Sequence, residues 1–134
     1  INLAVSLHFA ADILRRRYMP IAEKYPLEKI LSAVDDYIRK TGRKVMFEYL
    51  LIKDINDSDN DAKLLAALMT KPLYMVNLIP YNPTGRFQAS TPERIVKFKK
   101  ILEEAQINVT TRHSYGGDIA AACGQLAAKK AKKN

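Results

Sequence analysis

Cysteine is almost missing from this 134-residue chain, occurring once, at Cys123. A single thiol closes no internal disulfide, so the expected setting is a reducing cytoplasm. Nor can it alone hold a zinc ion or an iron–sulfur cluster, so no metal site is expected within this chain. Long apolar runs are missing too. No stretch approaches the roughly 20 residues of a membrane span, and no signal peptide is expected. Internal repeats and low-complexity segments are absent, apart from a lysine-rich run at 129–133. Acids are scarce: lysine and arginine number 22 against 14 aspartates and glutamates, a formal net charge of +8. That balance favours polyanionic partners, RNA first and an anionic membrane surface second. Part of the excess lies in residues 128–134, expected to form a disordered basic tail, so only the remainder bears on function.

What is present is the pattern of an α/β fold. Apolar residues make up 48% of the chain, enough for the core of one domain. Ile1 to Leu7 reads as a strand buried on both faces, because its apolar residues hardly alternate. The chain opens inside that strand without a methionine, which reads as a fragment of a longer protein. Lys44 to Ile52 and Tyr74 to Ile79 read as further strands, and Asn108 to Thr111 as a short last one. Between them lie three amphipathic helices. The first has Pro26 at its first position, a stripe of Leu27, Ile30, Leu31, Val34, Tyr37 and Ile38, and Gly42 to close it. The second starts at Ser58 with Asp61 and runs through Leu64, Leu65, Leu68 and Met69. The third follows Thr91-Pro92-Glu93, with Ile95, Phe98, Leu102 and Ala105 facing inward. Alternation at this spacing predicts parallel βαβ units, in a partial barrel or a doubly wound sheet.

Candidate site residues gather where strands end. Ser6 and His8 close the first strand, and Asn82 follows the third between two stiffening prolines, where α/β folds place ligands. On residue type alone, Ser6 also reads as a turn cap and His8 as a satisfied structural histidine. Glu48 is the one charge inside the second strand and must be paired or face a polar cavity. Asn56 and Asp57 read as turn formers, and 84–90 as a mobile loop. Of Arg15, Arg16 and Arg17, at most one can serve a site, since adjacent helical positions point different ways. Cys123 sits among alanines and glycines too small to bury it under bulk, although a lone cysteine is more commonly a small core residue.

Taken together, the motifs resemble one family. Ser6-Leu7-His8, Arg15, Met19-Pro20, Phe47-Glu48-Tyr49, Ile55-Asn56-Asp57-Ser58, the run Val-Asn-Leu-Ile-Pro-Tyr-Asn-Pro at 76–83, Asp118-Ile119 and Ala-Ala-Cys-Gly-Gln-Leu at 121–126 occur in the order seen in the carboxyl-terminal half of RlmN-type radical S-adenosylmethionine methyltransferases. Cfr-type enzymes are that family's close relatives. The resemblance implies the carboxyl-terminal part of a radical SAM partial (β/α) barrel spanning 1–134. It further implies methylation of an adenine at carbon 2 in 23S rRNA and tRNA, or at carbon 8 if the chain is of the Cfr type. Ser6, Leu7, His8 and Asn82 are then expected to bind S-adenosylmethionine, and Cys123 to carry the methyl group as S-methylcysteine. The ligands of a 4Fe-4S cluster, a second catalytic cysteine and an amino-terminal RNA-binding region are expected upstream, leaving this portion inactive alone and prone to self-association.

The chain departs from the family pattern in one loop. Tyr115 stands where an arginine is usual, and Gly117 and Ala120 where acids are usual, which leaves Arg112 and His113 as that loop's candidate RNA contacts. Tyr115 resembles the Cfr side, and Pro80 the RlmN side. A reading from a different class, a basic RNA-binding module without catalysis and with Cys123 as core, stays open on sequence alone.

Overall fold

A computed structural model describes residues 3–83 and 85–112. Four strands, β1 (Leu3–Ser6), β2 (Val45–Leu51), β3 (Tyr74–Pro80) and β4 (Asn108–Thr111), alternate with helices. The helices are α1 (Asp12–Tyr18), α2 (Leu27–Thr41), α3 (Asp59–Leu68) and α4 (Pro92–Glu104), with a 3-10 turn at Pro20–Glu23. All strand pairings are parallel and the order is β1-β2-β3-β4.

That order separates the two architectures open on sequence alone. A doubly wound sheet reverses its strand order at a switch point and carries helices on both faces. Here the order never reverses, and α2, α3 and α4 bury one continuous cluster against a single face. Leu27 and Val34 of α2, Ala62 and Leu65 of α3, and Phe98 and Leu102 of α4 meet Val45, Phe47, Tyr49, Leu51, Tyr74, Val76 and Leu78. The period of two along β2 and β3 puts those strand residues toward the helices, leaving Met46, Glu48, Leu50, Met75, Asn77 and Ile79 on the opposite, inner face.

The helix ends follow local chemistry. Gly42, at φ 65°, closes α2 by donating its N–H to the Ile38 carbonyl at 2.7 Å. Pro26 proves to be the cap residue of α2 rather than its first helical residue. At α3, the Ser58 hydroxyl accepts from the Asp61 N–H while the Asp61 carboxylate accepts from the Ser58 N–H, a complete capping box. Thr91 caps α4 through the Arg94 N–H, with Pro92 next.

Three expectations need correction. β1 is not buried on both faces: Leu3, Ala4 and Ser6 are exposed, because β1 is a sheet edge. Ala105 does not face inward; it is the exposed cap that ends α4. The loop after β3, read as mobile, is fastened at its far end by an Ile52–Ala89 bridge, a Lys53 N–H to Gln88 carbonyl bond of 2.9 Å, and the Ser90 hydroxyl donating to Asp57 Oδ2 at 2.7 Å.

Candidate active site at the strand ends

Because every strand is parallel, all carboxyl-terminal ends share one edge of the sheet. Ser6, His8 and Asn82 lie at that edge, Ser6 as the last residue of β1, His8 just after it and Asn82 after β3, with β2 between them. Asn82 is exposed there. Register adds a feature invisible along the chain: Ser6, Glu48, Asn77 and Thr110 stand side by side on β1 to β4. This row of four polar side chains crosses the inner face. The Ser6 hydroxyl donates to Glu48 Oε1 at 3.5 Å, and the Thr110 hydroxyl donates to Asn77 Oδ1 at 3.0 Å. Arg112, two residues beyond Thr110, reaches back so that Nη1 lies 3.8 Å from Glu48 Oε2. Glu48 is thus paired, one of the two options posed by the sequence. At this distance, with the arginine half exposed, the pair contributes under about 1 kcal/mol.

Above this row the inner face turns apolar, with Leu50, Ile52, Ile79 and Tyr81 forming a second cluster under Ile55 and Phe87.

The loop Ser6-Leu7-His8 is held from all sides. His8 adopts φ 61°, a left-handed backbone uncommon for a non-glycine residue. The Leu7 and His8 N–H groups both donate to the Glu48 carbonyl, at 2.9 and 3.1 Å, and the Phe9 N–H turns back to the Leu7 carbonyl at 2.8 Å. Arg15, only 2% exposed, donates from Nε to the Leu7 carbonyl at 3.2 Å and from Nη1 to the Tyr25 carbonyl at 3.0 Å. Of the three adjacent arginines, then, Arg15 alone turns inward. Burial lowers its pKa, and nearby Asp12 partly restores it. Leu7 presents no side chain to a ligand, since that side chain is fully buried in the outer core.

His8 is buried and its Nδ1 accepts the Leu50 N–H at 3.0 Å, which places its proton on Nε2. Burial first, and the Arg15 charge second, lower its pKa to about 4. The ring is therefore neutral at physiological pH.

Asn56 was read as a turn former and does much more. Fully buried, it donates from Nδ2 to the carbonyls of His8 and Leu50, each at 2.6 Å, and accepts the Ile52 N–H at 2.8 Å. It stitches the end of β1 to the end of β2. Asn77 was missed as well, although a lone amide inside an apolar strand carries the same signal that singled out Glu48. Cys123 and His113 lie outside the described residues. Among the described residues, no group of three or more His, Cys, Asp or Glu could hold a metal ion, and no helix is long and apolar enough to cross a membrane.

No family model matches the chain. Individual relatives do. It is 45% identical, over its entire length, to the probable dual-specificity RNA methyltransferase RlmN of Symbiobacterium thermophilum. The corresponding protein of Clostridioides difficile is 49% identical over 96% of the chain. The whole chain is RlmN-like. The crystal structure of a radical SAM methyltransferase from Sphaerobacter thermophilus, 46% identical, superposes on 93% of it with a TM-score of 0.85. A domain of a pyruvate-formate lyase-activating enzyme from Bacteroides vulgatus, 20% identical, matches 86% of it with a TM-score of 0.66 and shares the fold alone. The sheet is thus part of a radical SAM partial (β/α) barrel. This RlmN-like chain spans 37% and 38% of the two relatives and 37% of the Sphaerobacter structure.

Proposed function

We propose that this chain is the carboxyl-terminal portion of a radical S-adenosylmethionine enzyme that methylates carbon 2 of an adenine in 23S rRNA and tRNA. The observation that carries this reading is the end-to-end identity, 45% to 49%, with proteins named as dual-specificity RNA methyltransferases.

The residues present fit S-adenosylmethionine. Ser6 and Glu48 on the inner face, with Asn82 at the rim, offer the donors and acceptors that ribose hydroxyls and an ammonium group require. Neutral His8 adds no positive charge against a sulfonium. When bound, this cofactor supplies both a methyl group and a hydrogen-abstracting radical. A 4Fe-4S cluster does not fit the chain, which has one cysteine; its ligands belong to another part of the enzyme.

Cys123 serves as the methyl carrier. With the cofactor bound, its thiolate would take the methyl group by forming a carbon–sulfur bond while the methyl–sulfonium bond breaks and the neutral thioether leaves, the role in which cysteine is most effective. A carrier is needed because adenine carbon 2 is electrophilic and does not accept a methyl cation directly. The small residues that flank Cys123 in the sequence suit the approach of an extruded base, and Arg112 and His113 are the candidate contacts to its RNA backbone. A second cysteine outside this chain releases the product.

The test is Cys123→Ala in the enzyme that carries this chain. Methyl transfer should vanish while the cluster absorbance persists, with mass spectrometry of the adenine distinguishing carbon 2 from carbon 8. Normal turnover by the variant removes the carrier role, and a carbon 8 product moves the chain to the Cfr type.

A further inference from the structure

The site as described leaves the aromatic residues around it unused. Phe9 directly follows the Ser6-Leu7-His8 loop, and Tyr81 directly precedes Asn82; between these two loops runs a chain of ring contacts. Phe9 stacks on Tyr18 with centroids 5.4 Å apart at 14°. Tyr18 meets Phe87 edge-on at 5.8 Å, and Phe87 meets Tyr81 edge-on at 6.1 Å. Phe9 and Tyr81 are buried and close the top of the core, whereas Tyr18 and Phe87 are only half-buried. On these two outer rings lie two exposed arginines. The Arg17 guanidinium carbon sits 5.5 Å from the Tyr18 centroid, and that of Arg86 lies 5.8 Å from the Phe87 centroid. Among the described residues neither arginine forms an ion pair with a carboxylate.

Core closure accounts for Phe9 and Tyr81, and packing against the core for Tyr18 and Phe87, but neither accounts for the two arginines laid on the outer rings. A ring face within about 6 Å of a guanidinium holds it by cation–π attraction and limits its rotamers. A guanidinium so held keeps its other face for a planar partner and its N–H groups for an anion. Planar and anionic together describe an unpaired nucleotide, whose base stacks on arginine planes and aromatic rings while its phosphate accepts their hydrogen bonds. A duplex hides its base faces, and an acidic protein uses the charge without the plane.

We propose that Arg17 on Tyr18 and Arg86 on Phe87 form a contact for single-stranded RNA on the rim beside the candidate active site. The choice of RNA as the polyanion rests on the methyltransferase reading above; the paired planes and charges are properties of this chain. The contact grips nucleotides flanking the target adenine and holds them unpaired at the mouth of the sheet.

The experiment follows the binding of the enzyme that carries this chain to a fluorescein-labelled single-stranded RNA of about 12 nucleotides by anisotropy, with heparin and polyglutamate as competitors. Exchanging both arginines for lysine, Arg17→Lys with Arg86→Lys, keeps the charge and removes the plane. RNA affinity should fall about five- to tenfold with heparin affinity unchanged. Exchanging both for glutamine should weaken both ligands and reduce the slope of log affinity against log salt by about 1.4, two phosphate contacts at about 0.7 each. Phe87→Leu should weaken RNA and spare heparin. Circular dichroism confirms the fold of each variant. The proposal is overturned by absence of RNA binding in the parent, by a lysine double variant that binds RNA as the parent does, or by polyglutamate displacing RNA as well as RNA displaces itself. Methylation with and without Cys123 is a separate readout: intact methylation with an inert rim sinks this proposal alone, and a rim that binds RNA in an enzyme that methylates nothing sinks only the other.

Discussion

Stability should fall steeply as the pH drops from about 6.5 to about 4, and one side chain should be responsible. A histidine free in the unfolded chain titrates near 6.5, whereas buried His8, with Arg15 beside it, titrates at about 4. Between those values the unfolded state binds a proton that the folded state refuses. The slope of unfolding free energy with pH is then positive, about 1.4 kcal/mol per unit, and stability drains away as pH falls. Across the window the loss amounts to about 3 kcal/mol, a large share of the 5–15 kcal/mol of a typical domain. The cost has a structural origin. Protonating Nδ1 removes the acceptor of the Leu50 N–H and adds a buried cation near Arg15. Below about pH 4 this contribution levels off, and Asp36 and Asp59, held below the usual carboxylate range chiefly by hydrogen bonds from Lys40 and Arg94, begin to add their own. Urea unfolding followed by circular dichroism between about pH 7 and pH 4.5 measures the slope. His8→Asn is the control, because asparagine tolerates a left-handed backbone and retains an acceptor but cannot titrate. It also cancels the unfolded-state titration of the chain's other histidine, His113. A flat profile in the parent, or an unchanged slope in His8→Asn, refutes the neutral buried imidazole.

The fold was largely legible because its signals are local. β2, β3 and β4 and the three long helices fall within a residue or two of where periodicity and capping residues put them, since those signals act over three or four positions. What the sequence could not show is whatever depends on neighbours distant in the chain. Nothing in Leu3 to Ser6 says that β1 lies at an edge; that follows from strand order. The polar row is less legible still, for Ser6, Glu48, Asn77 and Thr110 meet only through the register of three strand pairs. Glu48 stood out because a charge within an apolar strand costs too much to be accidental, and Asn77 carries the same signal more weakly. Thr110 carries none, because threonine is an ordinary strand residue. Asn56 sits in a run of turn formers, where its type is already explained, and only burial shows that its side chain reaches two strands. Arg15 is set apart from Arg16 and Arg17 only by the direction its position on α1 faces.

Two substitutions test the framework that holds the site. Ser58→Ala removes one half of the capping box on α3 and should cost about 1 kcal/mol, seen as a modest fall in melting temperature without change in the pH profile. Asn56→Ala strips partners from the His8 and Leu50 carbonyls and the Ile52 N–H. At about 1–3 kcal/mol for each buried group left unsatisfied, the loss should reach at least about 3 kcal/mol. The two effects also differ in kind. Asn56 fixes the backbone that buries His8, so its removal should admit water to the imidazole, move that pKa back toward 6.5, and flatten the acid slope that His8 produces. Ser58 has no such connection. Should Asn56→Ala lose stability uniformly with pH, the asparagine would be a stitch between strands that has no hold on the histidine, and the loop would owe its shape to Arg15 and the Glu48 carbonyl alone.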